Sequence, residues 1–175
     1  KIDAKIILFT RANSTKNAIE KYKSNSKIKI INWNVSDREL IEENISNSDS
    51  IINLCGILYE NKNGDFFKIH SDFPGLLGEL SLKNNIGSLI HVSALGVSEF
   101  SESKYSRSKA IGERKLLENF PNGKIIRPSL LFGKGDNFFG QFSQIANLSP
   151  FIPLISRTTK FQPVFVDDVA KAIIN

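Results

Sequence analysis

A chain of 175 residues, 41% apolar, 23% charged and 10% aromatic, can build one hydrophobic core of ordinary size but not two full domains. That composition excludes a disordered tail, a collagen and a coiled coil; with one cysteine, Cys55, and two histidines, His70 and His91, it also excludes a disulfide framework and a cysteine- or histidine-rich metal cluster, and a reducing compartment is expected. The net charge of +5 comes from 23 basic and 18 acidic residues whose lysines are dispersed, so no nucleic-acid surface is expected, and the longest nearly uninterrupted apolar stretch, Ile51 to Leu58, is far too short for membrane insertion.

The first apolar run is Lys5 to Thr10 (KIILFT), with a helix expected to start near Asn13 or Ser14. Lys27 to Trp33 (KIKIINW) is the second run. Ser36, with Glu39 three residues later, reads as a capping box, after which Leu40, Ile41 and Ile45 share one helix face. The third run, Ser50 to Cys55 (SIINLC), precedes a segment from Phe66 to Asn85 long enough for several helical turns, where Pro74 and Gly75 must start, kink or break the helix. Ser88 to Ser93 (SLIHVS) is the fourth run. Ser103 caps the next helix, which reaches about Asn119 and buries Ile111, Leu116, Leu117 and Phe120. Lys124 to Pro128 (KIIRP) and Phe161 to Val166 (FQPVFV) close the series, with Asp136 and Asp167 as caps of the last two helices and the final one running from about Asp168 to Asn175. Apolar runs alternating with helical patterns predict an α/β domain around a mainly parallel sheet, spanning residues 1–175. No methionine occurs, no basic-then-apolar leader opens the chain, and both ends read as severed, so a piece of a longer protein is expected.

Tyr105 and Lys109 stand at i and i+4, so an ammonium can sit beside a phenol on one helix face. A positive neighbour favours phenolate and would bring the tyrosine toward acid or base work. Alone, this spacing also describes an ordinary exposed helix pair. Ser93, twelve residues earlier, closes the fourth run and so lies at the carboxyl edge of the sheet, where ligands bind in open α/β folds. Such a trio can polarise a carbonyl, pass a proton and hold a ribose; the blander reading of Ser93 is a strand-end hydroxyl satisfied by backbone.

These residues resemble the short-chain dehydrogenase/reductase superfamily in its extended or atypical branch, and within it the nucleotide-binding accessory subunits of respiratory complex I and their bacterial relatives. The resemblance runs from Lys5 to Ile174 and is carried by IINLCGIL (Ile51 to Leu58), IHVSALG (Ile90 to Gly96), YSRSKAIGE (Tyr105 to Glu113), FPNGKIIRPSLLFGKGDNF (Phe120 to Phe138) and FQPVFVDDVA (Phe161 to Ala170). It implies a Rossmann-like, doubly wound parallel sheet in three α/β/α layers. It also implies that Ser93 orients a substrate carbonyl, that Tyr105 is the acid/base, and that Lys109 lowers the tyrosine pKa and bonds the nicotinamide ribose. Arg127 and Pro128 match the family's Arg-Pro step, after which Ser129 and Leu130 approach the nicotinamide. Leu54, Cys55 and Gly56 match the turn where a glycine lets the backbone come close to the cofactor. Asn34 takes the place of the adenine-contacting Asp, with Val35 beside it among the cofactor-binding positions. His70 sits near the nicotinamide ribose, where many extended members carry Asn; the blander reading is a histidine on a helix face.

Arg11 ends the first run with no acid before Glu20, an arrangement that suits a 2′-phosphate and favours NADP over NAD; the blander reading is a solvated loop arginine. The family's first strand and its glycine loop are missing: none of the 11 glycines forms the G-x-x-G-x-x-G pattern. In the order 3-2-1-4-5-6 the missing strand belongs between the first and third visible runs, so a gap in mid-sheet is expected, with unpaired backbone along both sides. The resemblance implies an accessory subunit of complex I type whose dinucleotide is structural or regulatory, partnered by complex I subunits, in the bacterial cytoplasm, peripheral at the inner membrane, or in the mitochondrial matrix. The rival is an active NAD(P)-dependent epimerase, dehydratase or reductase on a sugar nucleotide or other carbonyl substrate, working through Ser93, Tyr105 and Lys109.

Overall fold

The structure, a computed structural model, describes residues 4–10, 20, 22–134, 160 and 162–175. The predicted first helix, Arg11 and the Asp136 cap lie outside the described residues. In chain order the elements are β1 (Ile6–Thr10), β2 (Ile28–Asn32), α1 (Arg38–Ile45), β3 (Ser50–Asn53), a short α2 (Asp65–Phe67), a π-helical turn (Lys68–Asp72), α3 (Phe73–Lys83), β4 (Ser88–Val92), α4 (Lys104–Asn119), β5 (Lys124–Ile126), β6 (Leu131–Phe132), β7 (Val164–Phe165) and α5 (Val166–Ile174). All observed strand pairings are parallel, as runs joined by helical crossovers require.

The strand runs start and stop close to where alternation placed them, and the helix signals differ in detail. Asp37, not Ser36, caps α1: its side chain accepts the Leu40 N–H at 3.1 Å, while the Ser36 N–H is taken by the Asn34 side chain at 3.1 Å. An aspartate one residue later serves the same orphan donors and brings its charge to the positive helix end. Ser103 does cap α4, its hydroxyl accepting the Ser106 N–H at 3.4 Å. Leu116 and Phe120 are buried, but Leu117 is exposed, because it falls one position off the stripe facing α3. The last helix starts at Val166 with no side-chain cap, and Asp167 stands within its first turn.

Pro74 neither ends nor breaks its helix. Its nitrogen has no hydrogen for the carbonyl four residues back, that of His70, and its ring crowds the same oxygen. The backbone responds by widening over Lys68–Asp72, with the Phe73 N–H bonding to the Lys68 carbonyl, and it resumes as α3. The helix then stops in a Schellman turn: the Ile86 N–H bonds the Ser81 carbonyl at 2.9 Å and the Asn85 N–H that of Leu82 at 3.3 Å, with Asn85 at φ 54°.

The core joins Ile41 and Ile45 of α1, Phe73, Leu77 and Leu80 of α3, Leu89 of β4, and Leu116 with Phe120 at the end of α4. Gly75 and Gly78 let α3 and α4 meet closely, since a Cβ on Gly78 would come within 2.8 Å of the Leu116 carbonyl oxygen. Trp33 reaches this core from beyond β2, its ring 4.9 Å from that of Phe73 and 5.4 Å from Phe9 of β1.

The strands do not form one ladder. β1 pairs with β2, β3–β4–β5 make a second sheet, and β6 pairs with β7. Among the described residues no strand joins β1 to β3, where the strand order places the expected mid-sheet gap, and Ile6 and Ile52 on those strands are about half exposed. We expect these 175 residues alone to melt broadly, and a protein in which about thirty further residues supply a parallel strand and its connection for this slot to melt in one cooperative step. A sharp calorimetric transition of the 175 residues by themselves would overturn that expectation.

Candidate functional site

The site is assembled from strand ends. At the end of β3 the Asn53 side chain accepts the Cys55 N–H at 3.0 Å, which folds Leu54, Cys55 and Gly56 over the sheet edge. Its Nδ2 lies 3.0 Å from Nδ1 of His91, the register partner of Asn53 on β4. Beyond β4, the Ser93 N–H donates to the Ile126 carbonyl at 2.8 Å and the Leu95 N–H to that of Pro128 at 2.9 Å, so the outgoing chains of β4 and β5 stay tied past the strands. The Leu130 carbonyl in turn accepts the Val164 N–H at 2.9 Å.

α4 lays its first turns across these ends. Tyr105 is half-buried and Lys109 buried. The Lys109 Nζ is 3.4 Å from the carbonyl of Val92, the residue before Ser93, and a Cβ on Gly56 would lie 3.6 Å from it. The ammonium therefore sits beneath the Gly56 turn, 5.9 Å from the centre of the Tyr105 ring. Burial pushes the Lys109 pKa down, against the pull of Glu113 and Cys55, and burial pushes the Tyr105 phenol up. This corrects the expectation that Lys109 brings Tyr105 into the useful range. Burial is the one cause of that upward shift, with no lowering contribution from Lys109. The Ser93 hydroxyl is buried without a hydrogen-bond partner among the described residues. Behind it, the buried Glu113 carboxylate receives both Nε and Nη2 of Arg127, so Arg127 is committed to α4 and away from the site.

His70 differs most from its expected place at the ribose. Its ring is 1% exposed, with Nε2 accepting the Ile57 N–H at 3.0 Å and Nδ1 lying 3.1 Å from the Ser108 hydroxyl. Both nitrogens are occupied within the protein, so the ring offers none to a ligand. Burial first, then the Lys109 ammonium and His91, push its pKa down to about 4. His91 is likewise pushed down to about 4, by burial and Lys109.

Thr10, Trp33, Val35, Leu54, Cys55 and Gly56 line a cavity of about 220 Å³ at the carboxyl ends of β1, β2 and β3. Val35, Leu54, Cys55 and Gly56 thus meet as expected. Asn34 stands just outside, with its amide oxygen already used by Ser36. Pro128, Ser129 and Leu130 leave β5 alongside the Ser93 strand. A larger open groove of about 730 Å³, lined by Val97, Phe100, Arg114 and Leu117 among others, contains none of Ser93, Tyr105 and Lys109. Sequence reasoning passed over Ser108, although its place three residues after Tyr105 predicts a contact with that turn, and it passed over Trp33, read only as the end of a strand. Among the described residues no helix is long and apolar enough to cross a membrane.

No protein-family model matches the chain. The subunit named NADH dehydrogenase [ubiquinone] 1 alpha subcomplex subunit 9, mitochondrial, is 38% identical in Dictyostelium discoideum over 145 residues, 83% of this chain and 40% of that protein. In Mus musculus it is 39% identical over 150 residues, covering 83% of this chain and 39% of that protein. The chain thus spans about two fifths of the length of the curated relatives it matches. Among solved structures, the Bordetella bronchiseptica enzyme WbmH in complex with NAD+ superposes with a TM-score of 0.77 at 16% identity, over 97% of this chain and 62% of that one. The dTDP-4-dehydrorhamnose reductase of Bacillus anthracis in complex with NADP gives 0.69 at 18% identity, over 99% and 71%. The fold is therefore the Rossmann-like α/β fold of these NAD- and NADP-bound enzymes, and in sequence the chain is similar to part of subunit 9 of the NADH dehydrogenase [ubiquinone] 1 alpha subcomplex.

Proposed function

We propose that this chain is the dinucleotide-binding part of a complex I accessory-subunit-type protein that supports NADH:ubiquinone oxidoreductase, and that it holds its coenzyme more than it turns it over. One observation carries the choice. The Lys109 ammonium leans on the Val92 carbonyl at 3.4 Å beneath the Gly56 turn, a placement suited to anchoring a hydroxyl of a bound coenzyme, and burial of the Tyr105 phenol acts against its ionisation. The kinship with subunit 9 of two organisms supports the same reading.

The residues present fit one end of a pyridine dinucleotide. The buried Ser93 hydroxyl, without a hydrogen-bond partner among the described residues, suits a carboxamide or carbonyl oxygen, Lys109 beneath the Gly56 turn suits a ribose, and the cavity beside Val35 and Leu54 suits apolar ring contact. When bound, the nicotinamide would supply hydride chemistry; Ser93 and Lys109 would hold and orient, and Tyr105 would present its hydroxyl. The pyrophosphate has no comparable cradle among the described residues, so affinity depends on a glycine loop filling the gap beside β1. Arg11 supports NADP over NAD, and solved neighbours hold either. Placement follows the complex I partners: the matrix of a mitochondrion or the cytoplasmic face of a bacterial inner membrane, held through those subunits.

The rival reading, an active oxidoreductase or epimerase, is favoured by the orphan hydroxyl of Ser93 next to an intact Tyr-Lys pair. Tyr105→Phe in the intact protein separates the two. We expect complex assembly and respiratory NADH oxidation to stay at wild-type levels in Tyr105→Phe cells and to fall on deletion of the protein. Loss of function from Tyr105→Phe alone would establish catalysis instead. Calorimetric titration of the intact protein is expected to show tighter NADP+ than NAD+ binding, and no affinity for either would end both readings.

A further inference from the structure

We propose that His70 is a positioning residue: its ring locks the Gly56–Ile57 turn to the Tyr105 end of α4, and the π-helical turn around it delivers the ring to that place. The link to coenzyme affinity rests on the dinucleotide reading above; the lock itself does not.

The direction of every bond in the lock is fixed. A backbone N–H can only donate, so the Ile57 amide, 3.0 Å from Nε2, requires that nitrogen to carry a lone pair. A neutral ring then carries its proton on Nδ1, which donates to the Ser108 hydroxyl at 3.1 Å. With its lone pair so used, Ser108 donates onward to the Tyr105 carbonyl at 2.9 Å. The chain Ile57 to His70 to Ser108 to Tyr105 thus runs one way, from the turn after β3 to the first turn of α4.

Three further contacts hold the ring in place. The Phe66 ring stacks on it at 5.3 Å, and the Tyr105 ring meets it edge-on at 5.3 Å. Its backbone is held from the far side, where Gly112 of α4 leaves room for the His70 carbonyl that the Pro74 ring displaces. A Cβ at 112 would stand 1.8 Å from that oxygen. An uninterrupted α-helix would turn residue 70 by a different angle, so the local widening and the two bonds of the ring belong to one device. A Cβ on Gly56 would lie 3.7 Å from Nε2 of His70 and 3.6 Å from Nζ of Lys109. The turn that the ring fixes thus lies directly over the Lys109 ammonium.

The test uses the intact, ¹⁵N-labelled protein. At pH 7 the imidazole signal that vanishes in His70→Gln should show the Nδ1–H tautomer, and the Ile57 amide should exchange slowly. An Nε2–H tautomer or a freely exchanging Ile57 amide overturns the lock without any variant having to fold. NADPH fluorescence titration should show Ser108→Ala weakening binding on the order of ten-fold, with Ser108→Thr, which keeps the hydroxyl, restoring most of it. The double variant with His70→Ala should be no weaker than His70→Ala alone, because the serine acts through the ring. Wild-type affinity in a folded Ser108→Ala protein, or additive losses in the pair, overturns the coupling. Absence of NADPH binding by wild type defeats the dinucleotide reading and leaves the tautomer and amide exchange to judge the lock.

Discussion

Replacing Gly112 by alanine is expected to cost the intact protein about 3 kcal/mol or more, an extreme effect for one methyl group. The added carbon would stand 1.8 Å from the His70 carbonyl oxygen, 2.8 Å from its carbon and 3.1 Å from the Ser71 Cα, all of them backbone atoms. No rotamer change relieves such a contact. The carbonyl cannot withdraw either, because the Pro74 ring crowds it from its own helix and the His70 side chain is held at both nitrogens. Gly56→Ala makes a useful contrast: its Cβ would meet only side-chain atoms at 3.6 and 3.7 Å, ordinary contact, so its folding cost should stay within about 1 kcal/mol. Urea unfolding of both variants without coenzyme checks the pair. A Gly112→Ala midpoint equal to wild type would mean that α4 can slide away from the π turn.

Acid should unfold the protein well before its carboxylates protonate. His70 and His91 are both pushed from 6.5 down to about 4, by burial and then by the Lys109 ammonium. Each folded value lies below the unfolded one, so the unfolded chain binds more protons in between. The stability held by the neutral rings is complete above pH 6.5 and is lost as pH falls toward 4. A shift of this size is worth about 3 kcal/mol for one imidazole, a large share of the roughly 5–15 kcal/mol that holds a domain together. Because His91 is itself one cause of the His70 shift, the two contributions overlap. The check is urea unfolding at pH 7, 5.5 and 4.5 in wild type and His91→Gln: the wild-type midpoint should fall steeply below pH 6.5, and the variant should show a shallower slope. A flat wild-type profile over that interval would refute the buried neutral state of both rings.

Much of this was legible before any coordinates. Short β-branched runs such as Ser50–Cys55 and Ser88–Ser93 announce strands because burial on both faces removes the polar alternation, and the strand order then places the break between β1 and β3. Ser93 and Lys109 stand out in the sequence because residue type and position act together, and the Lys109 ammonium lies 3.4 Å from the Val92 carbonyl beside Ser93. What escaped was anything decided by packing. The π turn brings the His70 carbonyl against Gly112 on another helix, a relation no local window contains. The ring of His70 was assigned to a ligand because its family position lies near one; burial and two internal partners redirected it. The acidity of Tyr105 was misjudged for a similar reason, since spacing reports that a lysine is near and not how much water has been lost from both groups.

The slot between β1 and β3 has a consequence for handling the chain. Among the described residues β1 pairs in its sheet only with β2, and β3 only with β4; the sequence along one border, Lys5 to Thr10, is apolar, free of proline and carries a single charge. Two copies meeting at these borders could stitch together through their main chains. Edge-to-edge pairing of this kind is concentration-dependent, so dilution is expected to oppose it.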